Sequence, residues 1–134
     1  MRVVFDANVL IAAFLTEGLC SGLLIRARKQ AFNLVLCDDI IREFEGILIK
    51  KFKLISTDIS EISSIVSEAT SEILHKLNHI PNIGRDPNDD MIIACAIDAA
   101  ADYIVTGDED LLILKKYKKS TIIKPRNFEA LFVD

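Results

Sequence analysis

Apolar residues along this chain fall into short unbroken runs that alternate with longer stretches of helical recurrence, the pattern of buried strands alternating with amphipathic helices. Arg2 to Phe5 is a β-branched and aromatic run closed by Asp6 and Asn8, which predicts a buried strand and a turn. Val9 to Leu15 opens a helix. After Glu17 and Gly18, the positions Leu19, Leu23, Leu24 and Ala27 recur at helical spacing, and Arg26, Arg28 and Lys29 suit a helix C-terminus. Asn33 marks a break, and Phe32 to Leu36, too short an apolar run for a helix, reads as a second strand. Ile40, Ile41, Phe44, Ile47 and Leu48 then share one face of a third helix, which Asp38 or Asp39 is available to cap and which runs into Lys50, Lys51 and Lys53.

Asp58 and Glu61 have the spacing of a capping box, and they predict a long helix with the stripe Ile62, Ile65, Val66, Ala69, Ile73 and Leu77. Pro81, Asn82 and Gly84 mark a loop. Asp86-Pro87 starts another helix, with proline at the first helical position and Ile92, Ile93, Ala96, Ile97 and Ala100 as its core face. Tyr103 to Thr106 is a third strand, Leu111 to Leu114 a short helix and Thr121 to Ile123 a fourth strand. Arg126 to Phe132 closes the chain as a helix behind Pro125.

Strands that alternate with helices imply an α/β class, a parallel sheet covered on both faces through right-handed crossovers. Ligands of such folds lie outside the carboxyl ends of the strands, near the point where strand order reverses. That rule selects the polar residues worth weighing.

Composition narrows the class further. With 134 residues, 51% apolar and 27% charged, the chain has enough material for one packed core, and a single domain over residues 1–134 is expected. No apolar run approaches the roughly 20 residues of a membrane span. Asp6 interrupts the N-terminal apolar stretch, so neither a secretory signal nor a membrane association is expected, and the expected compartment is the cytoplasm. Cys20, Cys37 and Cys95 lack any metal or redox spacing and read as buried free thiols. The net charge of −4 argues against a general nucleic-acid binder, unless several carboxylates are gathered at one point to hold cations.

Such a gathering is what the carboxyl-edge rule selects. Asp6 ends the first strand, Asp108 follows the third in Thr106-Gly107-Asp108, Asp90 is near the start of its helix, and Glu43 is in the first turns of the helix leaving the second strand. Four carboxylates in one cleft raise each other's pKa unless a cation offsets them. Oxygen ligands without His or Cys favour Mg²⁺ or Mn²⁺, ions of phosphoryl chemistry. Asp86 and Asp89 fit helix-capping positions, Asp110 fits a cap for the short helix, and Asp98 reads as solvated. Glu43 and Glu45 flank their helix's apolar stripe on opposite sides, and periodicity leaves the choice between them open.

Four segments, Asp6-Ala7-Asn8, Glu43-Phe44, Asp86-Pro87-Asn88-Asp89-Asp90 before Ile93-Ala94, and Val105-Thr106-Gly107-Asp108-Glu109-Asp110-Leu111-Leu112, resemble the PIN-domain nucleases. The resemblance extends to the closing Ile123-Lys124-Pro125 and Phe128. It implies a three-layer sandwich with a central parallel sheet flanked by helices. It also implies a VapC-like ribonuclease, the toxin of a toxin–antitoxin pair, acting on RNA with Mg²⁺ or Mn²⁺. By position, Asp6, Glu43, Asp90 and Asp108 match the family's acidic quartet as catalytic and metal-holding residues, with Asn8 and Thr106 at its supporting polar positions. An antitoxin partner and a homodimer follow from the same resemblance.

Other readings carry less. Val3 to Asn8 also resembles the start of a haloacid-dehalogenase-type phosphatase with Asp6 as nucleophile, but Asn8 stands where that motif needs its second acid. A non-catalytic RNA- or protein-binding domain is the alternative from another class, and the intact quartet argues against it. His75 and His79 share a helix face without the glutamate of a zinc protease and are expected at the surface. The lysine runs at 50–53 and 115–119 are candidates for holding a phosphate backbone, although solvated surface is the commoner role.

Overall fold

The computed structural model describes residues 1–16, 18–78, 80–82 and 86–132. Glu17, His79 and Gly84, which the sequence assigned to a turn, a surface helix face and a loop, lie outside the described residues. The runs of β-branched residues form a six-stranded sheet in the order β3-β2-β1-β4-β6-β5. Its strands are β1 (Arg2–Phe5), β2 (Asn33–Cys37), β3 (Thr70–Leu74), β4 (Tyr103–Val105), β5 (Lys116–Tyr117) and β6 (Ser120–Ile123). All neighbours run parallel except β5, which pairs antiparallel with β6. Seven helices, α1 (Ala7–Leu15), α2 (Leu19–Arg28), α3 (Asp38–Lys50), α4 (Ser56–Ala69), α5 (Pro87–Asp98), α6 (Glu109–Leu112) and α7 (Pro125–Glu129), connect and cover the sheet in an α/β sandwich. Among the described residues no single helix is long and apolar enough to cross a membrane.

Strands buried on both faces read as continuous apolar runs, and that is how β1, β2 and β4 are placed: Val3, Val4, Phe5, Leu34, Val35, Leu36, Ile104 and Val105 are all fully buried. Phe128 on α7 locks the core from one side. Its ring meets Phe32 edge-on at 5.0 Å and lies 6.3 Å from Phe5 and 5.7 Å from Tyr103. Of the cysteines, Cys37 and Cys95 are buried as expected, whereas Cys20 is only half-buried.

The expected long helix is two elements. Its stripe keeps helical period through Leu77, yet α4 stops at Ala69 and the chain turns extended at Thr70. The Thr70 hydroxyl donates to the Val66 carbonyl at 2.6 Å, and Thr70–Leu74 then adds to the exposed edge of β2 in parallel. A β-branched residue whose side chain bonds back one turn favours that exit. Ile65, assigned to the buried stripe, is 37% exposed. Asp58 does not cap α4, which starts two residues earlier behind Ile55, and α3 starts at Asp38 behind Cys37, so Asp38 and Asp39 sit in its first turn. Acidic residues there still complement the helix dipole. The closing helix is α7 followed by one 3₁₀ turn, Ala130–Phe132. Part of the lysine run at 115–119 forms the β5–β6 hairpin, with Lys118 at φ 52° in its turn.

The order β2-β1-β4 fixes the site. The chain leaves β1 to one side for β2 and returns to the other side for β4, so the carboxyl ends of β1 and β4 flank the reversal of strand order.

Candidate functional site

Asp6 is the first residue past β1 and the N-cap of α1. Its Oδ1 accepts the Val9 backbone N–H at 2.9 Å, and its Oδ2 accepts the Thr106 hydroxyl in a short hydrogen bond from the end of β4. Thr106 in turn accepts the Asp108 backbone N–H at 3.0 Å. One fully buried threonine therefore orients the residues that leave both central strands. These two bonds fix the orientation of the Asp6 carboxylate and leave each oxygen a lone pair for a cation.

Between these strand ends lies a cleft lined by Asp6, Asn8, Glu43, Asp86, Asn88, Asp89 and Asp108, with Ala7, Ile92 and Leu111 as its apolar wall. About 100 Å³ of it admits water, room for several molecules. Among the described residues no basic side chain lines the cleft. Glu43 projects from α3 and accepts the Asn88 side-chain amide at 3.4 Å. Glu45, two positions on, instead accepts the Ser63 hydroxyl of α4 at 2.7 Å. The choice that periodicity left open is decided by these partners: Glu43 lines the cleft and Glu45 ties two helices together.

The structure brings Asp6, Glu43 and Asp108 of the expected quartet to the cleft and adds Asp89, the neighbour of Asp90. Asp89 lines the cleft, while Asp90, also buried, is not among the lining residues. The reason is helical phase. Asp86 caps α5, its Oδ1 accepting the Asn88 N–H at 2.9 Å, and Asp89 and Ile92 follow at three-residue intervals on the same face. Asp90 lies about 100° further round the helix. Positions 86, 89 and 92 share a face of the helix, and the docking of α5 decides that this face meets the cleft. Asp110 also belongs here rather than to a cap. Asp108 is the N-cap of α6, its Oδ1 accepting the Asp110 N–H at 3.0 Å, and one carboxylate oxygen each of Asp89, Asp108 and Asp110 lie within 4.8 Å of one another.

The electrostatics reflect acids gathered with no counter-charge among the described lining residues. Burial pushes the Asp89 carboxyl up to about 7, helped by a hydrogen bond to Asp108 and by repulsion from Asp108, Asp86 and Asp110. Burial also raises Glu43, with Asp6 and Asp86 adding repulsion. Asp6 is raised by burial against the lowering effect of its bonds from Thr106 and Val9. The Oδ2 atom of Asp89 is buried without a hydrogen-bond partner among the described residues. A buried carboxylate oxygen left this way is costly, and a cation is the partner that would offset it. The donor set is all oxygen, and oxygens up to 4.8 Å apart can share an ion with metal–oxygen distances of about 2.1–2.5 Å. The residues therefore fit a hard divalent ion.

Remaining candidates fall outside the cleft. His75 follows β3 rather than riding a helix, and its Nδ1 lies 3.0 Å from the Asp38 carboxylate at the surface. Asp98, expected to be merely solvated, accepts the Asn78 backbone N–H at 2.8 Å.

No curated protein matches this chain. The PIN domain family profile matches residues 2–110, from β1 into α6, and so covers all the carboxylates of the cleft. On that match, and on the parallel sheet with its acidic carboxyl edge, the chain belongs to the PIN domain family, whose members are generally metal-dependent nucleases.

Proposed function

We propose that this chain is an endoribonuclease that hydrolyses RNA phosphodiester bonds with Mg²⁺ or Mn²⁺ held by Asp89, Asp108 and Asp110 together with Asp6 and Glu43 of the same cleft. The observation that carries this reading is the buried Oδ2 of Asp89, without a hydrogen-bond partner among the described residues, in a cleft those residues line with acids. A divalent ion bound there supplies Lewis-acid chemistry, lowering the pKa of water and offsetting the charge of the phosphate. The chain's own residues do the positioning. Val9 N–H and the Thr106 hydroxyl fix the Asp6 carboxylate, the Asn88 amide steadies Glu43, and the backbone N–H of Asp110 holds one oxygen of Asp108. Such supporting bonds set ligand orientation, and losing one costs typically about 10–100-fold in affinity or activity.

The same reading takes the chain as the toxin of a toxin–antitoxin pair in the cytoplasm, a homodimer whose antitoxin inserts a cation, such as an arginine, into the acidic cleft. It rests on the four motifs that resemble the PIN-domain nucleases, a resemblance that implies a VapC-like toxin.

The test is cleavage of labelled RNA with Mg²⁺ or Mn²⁺. Activity is expected to vanish with EDTA and with Asp6→Asn or Asp108→Asn. Cleavage that persists in EDTA, or in both variants, overturns the proposal, and RNA binding without cleavage would leave the non-catalytic alternative. Light scattering that finds only a 15.0 kDa monomer at all concentrations removes the dimer.

A further inference from the structure

Glu43 and Asn88 line the acidic cleft and also two neighbouring hollows. The first, about 320 Å³, is walled by Ile40, Met91 and Ile92, with Arg42 and Asp39 paired at 3.4 Å on its rim, a volume in the range that takes a small ring system. The second runs along α3 past Arg42, Gly46, Lys50 and Lys51. Arg42, Gly46 and Lys50 are spaced four apart, so they form one line about 12 Å long on the helix surface. Neither Lys50 nor Lys51 makes an ion pair among the described residues.

Gly46 stands in the middle of that line although glycine costs a helix about 1 kcal/mol relative to alanine. Packing does not require it, because a Cβ there would meet nothing within 4 Å. Its effect is a notch between two cationic side chains, where a ligand can approach the helix backbone.

We propose that the three hollows form one track for single-stranded RNA. The scissile phosphate lies at the acidic cleft, an adjacent base leaves the stack to enter the Ile40–Met91–Ile92 hollow, and flanking phosphates run over the Gly46 notch between Arg42, Lys50 and Lys51. Charge complementarity selects the phosphate backbone for the basic arm. The apolar hollow selects an unpaired base, since a base held in a duplex cannot turn into it. This proposal rests on the nuclease reading and adds the path of the strand across the surface.

The experiment measures binding of a fluorescent single-stranded RNA of about twelve nucleotides, and of its duplex, to the Asp108→Asn protein at several salt concentrations. Lys50→Ala/Lys51→Ala in that background is expected to weaken binding roughly tenfold and to reduce the salt slope by about 1.4, the value for two phosphates of a single strand. Gly46→Gln is expected to weaken binding about fivefold without lowering Tm, because glutamine is the better helix former. Arg28→Ala/Lys29→Ala, on a separate basic hollow beside Ile25, serves as the charge-matched control and is expected to bind as well as its parent. Duplex RNA is expected to bind at least about tenfold more weakly than the single strand.

Unchanged affinity and slope in the Lys50/Lys51 variant, equal losses in the control, or equal affinity for duplex each overturn the track. Wild-type protein that cleaves RNA while the α3 variants bind normally sinks the track and leaves the nuclease standing. Protein that shows all the binding effects yet never cleaves with Mg²⁺ or Mn²⁺ does the reverse.

Discussion

Thr106 donates its hydroxyl to the carboxylate of Asp6 across 100 residues of sequence, and the same oxygen accepts the backbone N–H of Asp108. Neighbouring parallel strands make this possible: Phe5 pairs with Val105, so the residues that follow them emerge side by side. The supporting residue is buried and neutral, and the two it orients are acidic.

Thr106→Val keeps the shape and removes the hydroxyl. It is expected to destabilise the protein by about 1–3 kcal/mol, because a buried carboxylate oxygen loses its donor. Metal-dependent activity is expected to fall roughly 10–100-fold. Chemical denaturation and RNA cleavage measure the two effects, and unchanged cleavage would mean that Thr106 does not position Asp6.

Asp89→Asn and Asp90→Asn separate the two adjacent acids. The first is expected to abolish cleavage while leaving the metal-free fold as stable or more so, since it removes one of several mutually repelling carboxylates. The second is expected to retain metal-dependent cleavage. The opposite ranking, with both variants folded by circular dichroism, would assign the ligand role to Asp90.

Glu43→Gln and Glu45→Gln make a second pair. Loss of activity is expected in Glu43→Gln alone. Glu45→Gln keeps a partner for Ser63, so its cost should stay below about 1 kcal/mol, and a metal titration followed by calorimetry should be unaltered by it.

Stability without metal should fall as pH rises. Asp89 has a folded pKa of about 7 against an ordinary value of 3.8, and Glu43 and Asp6 are displaced in the same direction. A group whose pKa is raised by folding contributes its stability fully below the unfolded value and loses it as pH climbs through the folded one. Thermal melts in EDTA should therefore show Tm dropping between about pH 4 and 7. Saturating Mg²⁺ or Mn²⁺ should flatten the drop by binding the ionised form, adding about 2.7 kcal/mol at a hundredfold excess over Kd. A Tm that rises across that window in EDTA would contradict the acid cluster as described.

Phe128→Ala tests the core that holds the strand ends in place. Phe128 is fully buried and meets the rings of Phe5, Phe32, Tyr103 and Phe132. A loss of about 3–5 kcal/mol is expected from urea denaturation. A loss under about 1 kcal/mol would mean that α7 does not pack as seen.

The sequence by itself determined the elements whose burial pattern is local. The unbroken runs of β1, β2 and β4 read as strands because both their faces are covered, and the Asp86-Pro87 start of α5 read correctly because cap and proline act within one turn. Alternation of those elements determined the parallel sheet, and with it the placement of Asp6 and Asp108 at one edge. Three matters were decided only by tertiary structure. Thr70 to Leu74 carries apolar positions that fit a helix as well as a strand, and the open hydrogen-bonding edge of β2, absent from any local window, made it β3. Glu43 and Glu45 flank one stripe symmetrically, and the arrival of Ser63 on α4 and Asn88 on α5 broke the tie. Asp89 and Asp90 differ by one residue and about 100° of rotation, which has meaning only once the helix is docked against the cleft. Local patterns state which face of an element is apolar, whereas the direction in which its polar residues converge depends on which other elements pack beside it.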